Sequence, residues 1–360
     1  MTLLAACLAA LALMLAIPVP RLLREAEFRS RSPWAAMLLW QAIALAGGVS
    51  MVSAPMVYGL GPFGDSVPAA ASKVLGLMAT ADFAALTDLG VHPGHIFALC
   101  LSVLLGGHLL LTLLLTYVRV LGQRRRHRDV VRLLSTPVDG NRAAVLGRHL
   151  NLSAELGDAH VLEHEAPLAY CLPGRTHAGS VTVLSRGLLN QLSAAELGAV
   201  VAHEKTHLQQ RHHFLTMAFE AWYRALPWLP TTRHGRAAVT ELTEMLADDG
   251  ALRAHTRQDL LRALALSSAG PDHQDVLREG TQTVAESLAP AEAETARGPE
   301  PGPDAESTSG DDAESRLITT ARLRRLLAPP APLSRPALGG VIGSAAALVL
   351  VPAAALLLGA

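Results

Sequence analysis

The sequence predicts a mainly α-helical membrane protein, with four transmembrane helices and a cytoplasmic α+β domain built around a small β-sheet. Three observations carry this prediction. Hydrophobic residues make up 50% of the 360-residue chain and charged residues only 17%. The excess is concentrated in four stretches without a charged side chain, Met1–Pro20, Pro33–Gly64, Leu89–Val118 and Pro336–Ala360. Between the third and fourth stretches the composition turns polar, and segments of strand and helix periodicity alternate.

Each uncharged stretch supplies the ~20 apolar residues that an α-helix needs to cross the hydrocarbon core, and core helices of soluble enzymes rarely run so long uncharged. The first stretch lacks a basic region ahead of it, so it reads as a retained helix and not a cleaved signal. Arg21, Arg24, Arg29 and Arg31 follow the first span, and Arg119, Arg124, Arg125, Arg126, Arg128 and Arg132 follow the third. The connection between the second and third spans carries Lys73 alone. Basic loops stay on the cytoplasmic side. Both termini are therefore expected outside and the block from Arg119 to Arg335 inside. The run Arg124–Arg128, directly beside a span, reads as a topology anchor and not as a nucleic-acid patch.

The expected domains are 1–121 with three spans (about 1–20, 34–60 and 94–118), 122–335 as the cytoplasmic domain, and 336–360 as the fourth span. A short helix at the outer face is expected between Asp65 and Asp88. His108, mid-span, is expected to bond a neighbouring helix. The three cysteines are scattered and imply neither a disulfide framework nor a cysteine metal site.

In the cytoplasmic block, "EAPLAYCLPG" and "GSVTVLSRGLL" are rich in β-branched or aromatic residues and bounded by Gly and Pro. They predict two strands of one small sheet. Helical patterns follow from Ser193, from about Ala237 and from Arg257. The acidic, Pro/Gly/Ser-rich stretch at about 290–312 has almost no large apolar side chain, and is expected to be a disordered insert. "SRLITTARLRRLL" then returns to a helical pattern.

The chemistry concentrates in "VVAHEKTHLQQRHHF", Val200 to Phe214. His203, Glu204 and His207 spell H-E-x-x-H. On a helix, positions i and i+4 share a face, so both imidazoles can point at one ion while the glutamate reaches a water on it. Ser193 and Glu196 form a capping box that starts this helix, and Leu197, Val200 and Val201 give it an apolar face. A catalytic zinc takes three protein ligands and keeps a position for water. His213 has the spacing of a third histidine, but on a helix continuing through Gln210 it lies about 280° around from His203. Arg211, His212 and His213 therefore read as a polar patch beyond the site. The better source is the helix "ELTEMLADDGAL", where Glu241, Glu244 and Asp248 make one acidic stripe. One carboxylate would complete a His-His-carboxylate site, and another would hydrogen-bond a ligand imidazole from behind.

"LSAAELGAVVAHEKTHLQQRHH" followed by "EMLADD" resembles the gluzincin membrane metallopeptidases. It is most similar to the peptidase module of the beta-lactam sensor-transducers, and more distantly to the HtpX-like and CAAX prenyl proteases. The resemblance covers roughly Ala166 to Ala251, and more loosely the four spans and Ala321–Leu327. It implies a zincin-like domain and a zinc ion held by His203, His207 and Glu244. It makes Glu204 the general base and Asp248 the hydrogen-bonded support of a ligand. The strand at Ala169, Tyr170 and Cys171 would flank a cleft for extended peptide, and Arg322 would stand near the active centre. The sensor-transducers continue past their fourth span into an extracellular penicillin-binding domain, whereas this sequence stops at Ala360. Direct antibiotic sensing is therefore not expected of it.

The expected function is that of an integral membrane zinc metalloendopeptidase, with a protein or peptide substrate, membrane lipids around its spans, and a separate sensor or repressor as partner. The alternative is a membrane signal transducer whose peptidase-like domain mainly cleaves itself or transmits a conformational change. Nucleic acid is not expected as a partner.

Overall fold

The computed structural model describes residues 1–24, 26–80, 91–137, 159–172, 181–267 and 305–358. The chain forms two compact units. One comprises Met1–Val118, Phe214–Leu242 and Pro330–Ala360, and the other Arg119–His213 and Thr243–Pro329.

The first unit is helical. Helices α1 (Thr2–Ala16) and α2 (Pro18–Arg24) make one apolar span, and a short α3 (Phe28–Arg31) leads into α4 (Pro33–Leu60). Pro33 sits at the start of α4, where its missing N–H and fixed φ suit a first helical turn. Next come α5 (Val67–Thr80), at the position where a short outer helix is expected, and α6 (Pro93–Leu134). The last helix is α13 (Arg335–Leu358), numbered after the helices introduced below. Among the described residues, four helices, within Thr2–Leu23, Pro33–Phe63, Pro93–Val131 and Arg335–Leu357, are long and apolar enough to cross a membrane. They make this a multi-pass membrane protein.

Helix α4 is the centre of this unit. Its Leu39, Ala42, Ile43 and Ala46 pack against Leu15 of α1 and Ala345 of α13. Gly59 lets α6 approach, since a Cβ there would stand 2.6 Å from Leu99 Cγ and 2.7 Å from the His95 carbonyl. Ser102 of α6 donates to the Val52 carbonyl at 2.8 Å. Such hydrogen bonds between spans satisfy polar groups that lipid cannot.

Residues 214–242 also belong to this unit, which the sequence-based boundaries do not foresee. They lie in α9 (His212–Ala225) and in the first half of α10 (Pro230–Ala251). Helix α10 starts seven residues before the expected Ala237, because Leu229 and Thr232 already close the turn.

The second unit holds a four-stranded sheet of β1 (Ser135–Pro137), β2 (Ala159–Leu162), β3 (Ala169–Leu172) and β4 (Val181–Ser185), in the order β1-β2-β4-β3. Strands β3 and β4 are the two expected strands, and they pair antiparallel with Ala169 opposite Leu184. Strand β4 is buried along its whole length and parallel to β2, whereas β3 is an edge. Helices α7 (Arg186–Gln191), α8 (Ala194–Gln209), α11 (Arg257–Ser267) and α12 (Ala305–Leu327) complete the unit. Leu184 and Leu188 pack with Leu197 and Val201 of α8 and Ala263 of α11. This core fixes α8 against the sheet.

Of the expected acidic insert, residues 290–304 lie outside the described residues, while Ala305–Asp312 form the first turns of α12.

Candidate metal centre

Helix α8 begins on the capping box. Ser193 Oγ accepts from the Glu196 N–H, and Glu196 Oε2 accepts from the Ser193 N–H at 2.8 Å. Leu197 and Val201 are buried on its sheet side, and Ala199 and the buried His203, about one turn apart, lie on another face. From that face the imidazoles of His203 and His207 turn toward one point, with their Nε2 atoms 3.2 Å apart.

Helix α10 brings Glu244 to the same point. Its Oε2 lies 3.4 Å from His203 Nε2, and its Oε1 lies 3.3 Å from His207 Nε2. One turn on, Asp248 Oδ1 is 3.0 Å from His203 Nδ1, an approach too oblique for a linear hydrogen bond. Arg322 of α12 closes the cluster from behind. It donates to Asp248 through Nε at 3.0 Å and Nη2 at 2.7 Å, and its Nη1 is 2.9 Å from Glu244 Oε2. Glu241 is elsewhere, in an ion pair with Arg29 in the first unit.

The electrostatics follow from burial and pairing. Burial alone would depress the His203 imidazolium, but Asp248 and Glu244 outweigh it and hold it up at about 9. Burial would raise Glu244, yet Arg322 and the two histidines pull it well below the usual carboxylate range. Asp248 is lowered too, its burial outweighed by His203 and Arg322. Glu204 goes the other way: burial raises it, and the neighbouring histidines only partly oppose that. A half-buried carboxyl with a raised pKa is suited to hold and release a proton.

These residues line a cavity of about 440 Å³. Its polar wall is His203, Glu204, His207, Glu244 and Arg322, and its apolar wall includes Leu188, Val200, Leu260 and Leu264. Ala169 and Tyr170 of the edge strand line it as well; Cys171 is not among the lining residues. The Cys171 Sγ instead lies 3.3 Å from Thr182 Oγ1 on β4.

Does a metal ion fit? His203, His207 and Glu244 each offer a ligand atom, all within 4.8 Å of one another. Tetrahedral zinc with bonds of ~2.0–2.1 Å sets neighbouring ligand atoms roughly 3.3–3.4 Å apart. The 3.2 Å between the two imidazole nitrogens agrees with that, and each nitrogen has its own Glu244 oxygen, Oε2 at 3.4 Å from His203 and Oε1 at 3.3 Å from His207. Two imidazoles and one carboxylate are also the donor set of an open, catalytic zinc site.

Two features differ from expectation. Helix α8 does not continue through Gln210: it ends there, and Arg211 takes a left-handed φ of 52°. His212 then starts α9 buried, with its Nδ1 3.0 Å from His207 Nδ1 and its Nε2 2.9 Å from Gln210 Oε1. It is thus part of the site and not a patch beyond it, while His213 is not in the metal-ligating group. No sequence signal pointed to His212, since the break uses neither Gly nor Pro.

Residues 140–266 match the sequence model of the Peptidase family M48. The matched stretch contains His203, Glu204, His207, Glu244 and Asp248, and it indicates a metallopeptidase domain. No curated protein and no solved structure matches the chain.

Proposed function

We propose that the protein is an integral membrane zinc metalloendopeptidase of the gluzincin type, with His203, His207 and Glu244 as metal ligands and Glu204 as general base. The observation that carries this is the convergence of two imidazole nitrogens and a carboxylate at 3.2–3.4 Å on the wall of a cavity that also holds Glu204. When bound, zinc supplies a Lewis acid that polarises a peptide carbonyl and makes a water ionise near neutral pH.

The chain's own groups do the rest. Glu204 takes a proton from water on its carboxylate and returns it to the leaving amide nitrogen, which the raised pKa favours. Asp248 orients His203 from behind, and Arg322 offsets the charge of Asp248 and Glu244. An extended substrate can pair with the edge of β3, beside Ala169 and Tyr170, while the apolar wall takes one of its side chains. The arginine-rich loops next to the first and third spans support a cytoplasmic face for this chemistry. The substrate class is then a cytoplasmic protein, or the cytoplasmic part of a membrane protein.

The test uses the full chain in detergent. Zinc is measured by elemental analysis in wild type and His203→Ala, and cleavage of a peptide library is compared in wild type and Glu204→Gln. We expect zinc in the wild type and its loss in His203→Ala. Glu204→Gln should keep zinc and lose cleavage by ~100-fold or more. Zinc retained in His203→Ala, or undiminished cleavage in Glu204→Gln, would refute the assignment.

A further inference from the structure

We propose that residues 214–242 enter the bilayer as a re-entrant helical hairpin whose tip, Leu226–Leu229, reaches the middle of the hydrocarbon core. All of the residues that support this belong to the unit of membrane spans. The tip packs there: Ala225, Leu226 and Leu229 are buried with Ala16, Met51 and Leu109. His108 Nε2 bonds the Ala225 carbonyl at 3.0 Å, and Thr232 Oγ1 donates to the carbonyls of Leu226 and Leu229 at 2.7 and 2.8 Å. Carbonyls left over by a turn must find such partners wherever lipid replaces water.

Two independent measures give the same depth. His108 lies eleven residues before Arg119, the first charge after the third span, or about 16 Å along the helix. At its base the hairpin is tied to the basic linker after the first span by the Arg29–Glu241 ion pair. From Glu241 back to Pro230 is again eleven residues of α10, about 16 Å. Both values are half of a ~30 Å core. Between base and tip, Gly235 lies against Phe219 and Trp40 of α4, where an added Cβ would be 3.0 Å and 3.6 Å away.

The outer surfaces fit the same placement. Leu45 and Val49 of α4, Leu110 and Leu113 of α6, and Phe219 and Trp222 of α9 line an apolar groove of about 690 Å³. Leu45, Leu110 and Leu113 are exposed, so the groove is continuous with the lipid-facing sides of two spans. Trp228, at the tip, is 74% exposed. The charges of the hairpin are mostly internally paired, as charges within a membrane tend to be. Glu220 accepts from Arg224 at 2.7 Å and from Arg236 at 3.2 Å, and Arg236 stacks over Tyr223. Arg233 is exposed, and its long stem can carry the guanidinium away from the acyl chains.

The experiment places a nitroxide at Trp228→Cys in full-length protein with Cys7, Cys100 and Cys171 replaced by serine, reconstituted in phosphatidylcholine vesicles. Relaxation by oxygen and by a water-soluble nickel chelate gives the depth. Labels at Leu110→Cys and Arg186→Cys serve as the lipid-facing and water-facing controls. A tip label that behaves like position 110, with nickel access lost, supports the hairpin; one that behaves like position 186 overturns it. Should the labelled chain not fold, Trp228→Phe alone decides. It should remove part of the fluorescence quenching by lipids brominated along their acyl chains, and unchanged quenching overturns the proposal.

Discussion

His212 Nδ1 lies 3.0 Å from His207 Nδ1, and this contact couples the tautomer of a candidate metal ligand to that of its neighbour. His212 Nε2 faces Gln210 Oε1 at 2.9 Å, so it carries the hydrogen and leaves Nδ1 as an acceptor. His207 must then hold its proton on Nδ1, with the Nε2 lone pair toward Glu244 and His203. The reverse arrangement, with the amide turned over, would put a hydrogen on His207 Nε2 and block it. Burial pushes His212 down to about 4, so it is a neutral acceptor at physiological pH. We expect His212→Ala to weaken zinc binding by about 10–100-fold, the usual cost of losing the support behind a ligand. His212→Asn, which keeps an acceptor, should lose less. Competition with a zinc chelator measures both, and an unchanged affinity in His212→Ala would rule the role out.

Arg322 is the counter-charge for Asp248 and Glu244, and its own side chain is 11% exposed. Replacing it with methionine keeps most of the volume and leaves the two carboxylates with only the His203 imidazolium beside them. Breaking a buried pair in this way costs about 3–5 kcal/mol. The loss should be largest in chelator-treated protein, because a bound cation restores some of the missing positive charge. Thermal unfolding with and without chelator tests this, and equal melting temperatures for variant and wild type in chelator would contradict it. Arg322→Lys should recover only part, since an ammonium cannot reproduce the fork.

What the sequence made legible were the features with a strong period or a hard length limit. Uncharged runs of twenty residues or more leave few options but a span, and the i, i+4 spacing sets His203 and His207 on one face of α8. The acidic stripe narrowed the third ligand to a few carboxylates, and only the resemblance separated Glu244 from Glu241. In the structure Glu241 pairs with Arg29 instead. The hairpin was not legible, because α9 and the start of α10 carry Glu220, Arg224, Arg233 and Arg236 and fall short of a span. His212 was hidden by a helix break at Arg211 that uses no glycine. Strands β1 and β2 are three and four residues long, too short for a period of two to show.

Cys171 gives a pH-dependent test outside the metal site. Burial, with a smaller push from the Glu204 charge, raises its thiol to about 11 against an opposing hydrogen bond from Thr182. Only the thiolate is nucleophilic, and an ordinary thiol ionises near 8.5, so at pH 8 Cys171 should alkylate roughly 100-fold more slowly than after unfolding. Its rate should climb about tenfold per pH unit toward 11. The linkage has a definite sign. Above ~8.5 the unfolded thiol loses its proton while the folded one keeps it, so this group makes the fold less stable as pH rises. Mass spectrometry of the alkylated peptide over a pH series reads the profile, and a midpoint near 8.5 in the folded protein would disprove the shift.

Gly250 and Thr206 set how close α8 and α10 come, and therefore whether His203 and His207 can meet Glu244 at all. A Cβ on Gly250 would stand 2.7 Å from Thr206 Cβ and closer still to Oγ1 and Cγ2. Thr206 cannot easily turn away, since it is buried and its hydroxyl donates to the Ala202 carbonyl at 2.8 Å. Glycine to alanine within a helix normally stabilises by up to ~1 kcal/mol, so the sign of the effect is informative. Here we expect the opposite, a loss of about 1–3 kcal/mol from overpacking. The helices must part to admit the methyl group, and a shift of a few tenths of an ångström spoils spacings of 3.2–3.4 Å. Zinc affinity should therefore fall together with stability. Adding Thr206→Ala removes two of the three crowded atoms and should restore part of both, a coupling expected only of residues in contact. Denaturant unfolding and chelator competition on the two single variants and the double variant complete the cycle. A stabilised Gly250→Ala, or a double variant in which the effects simply add, would show that the helix spacing is set elsewhere.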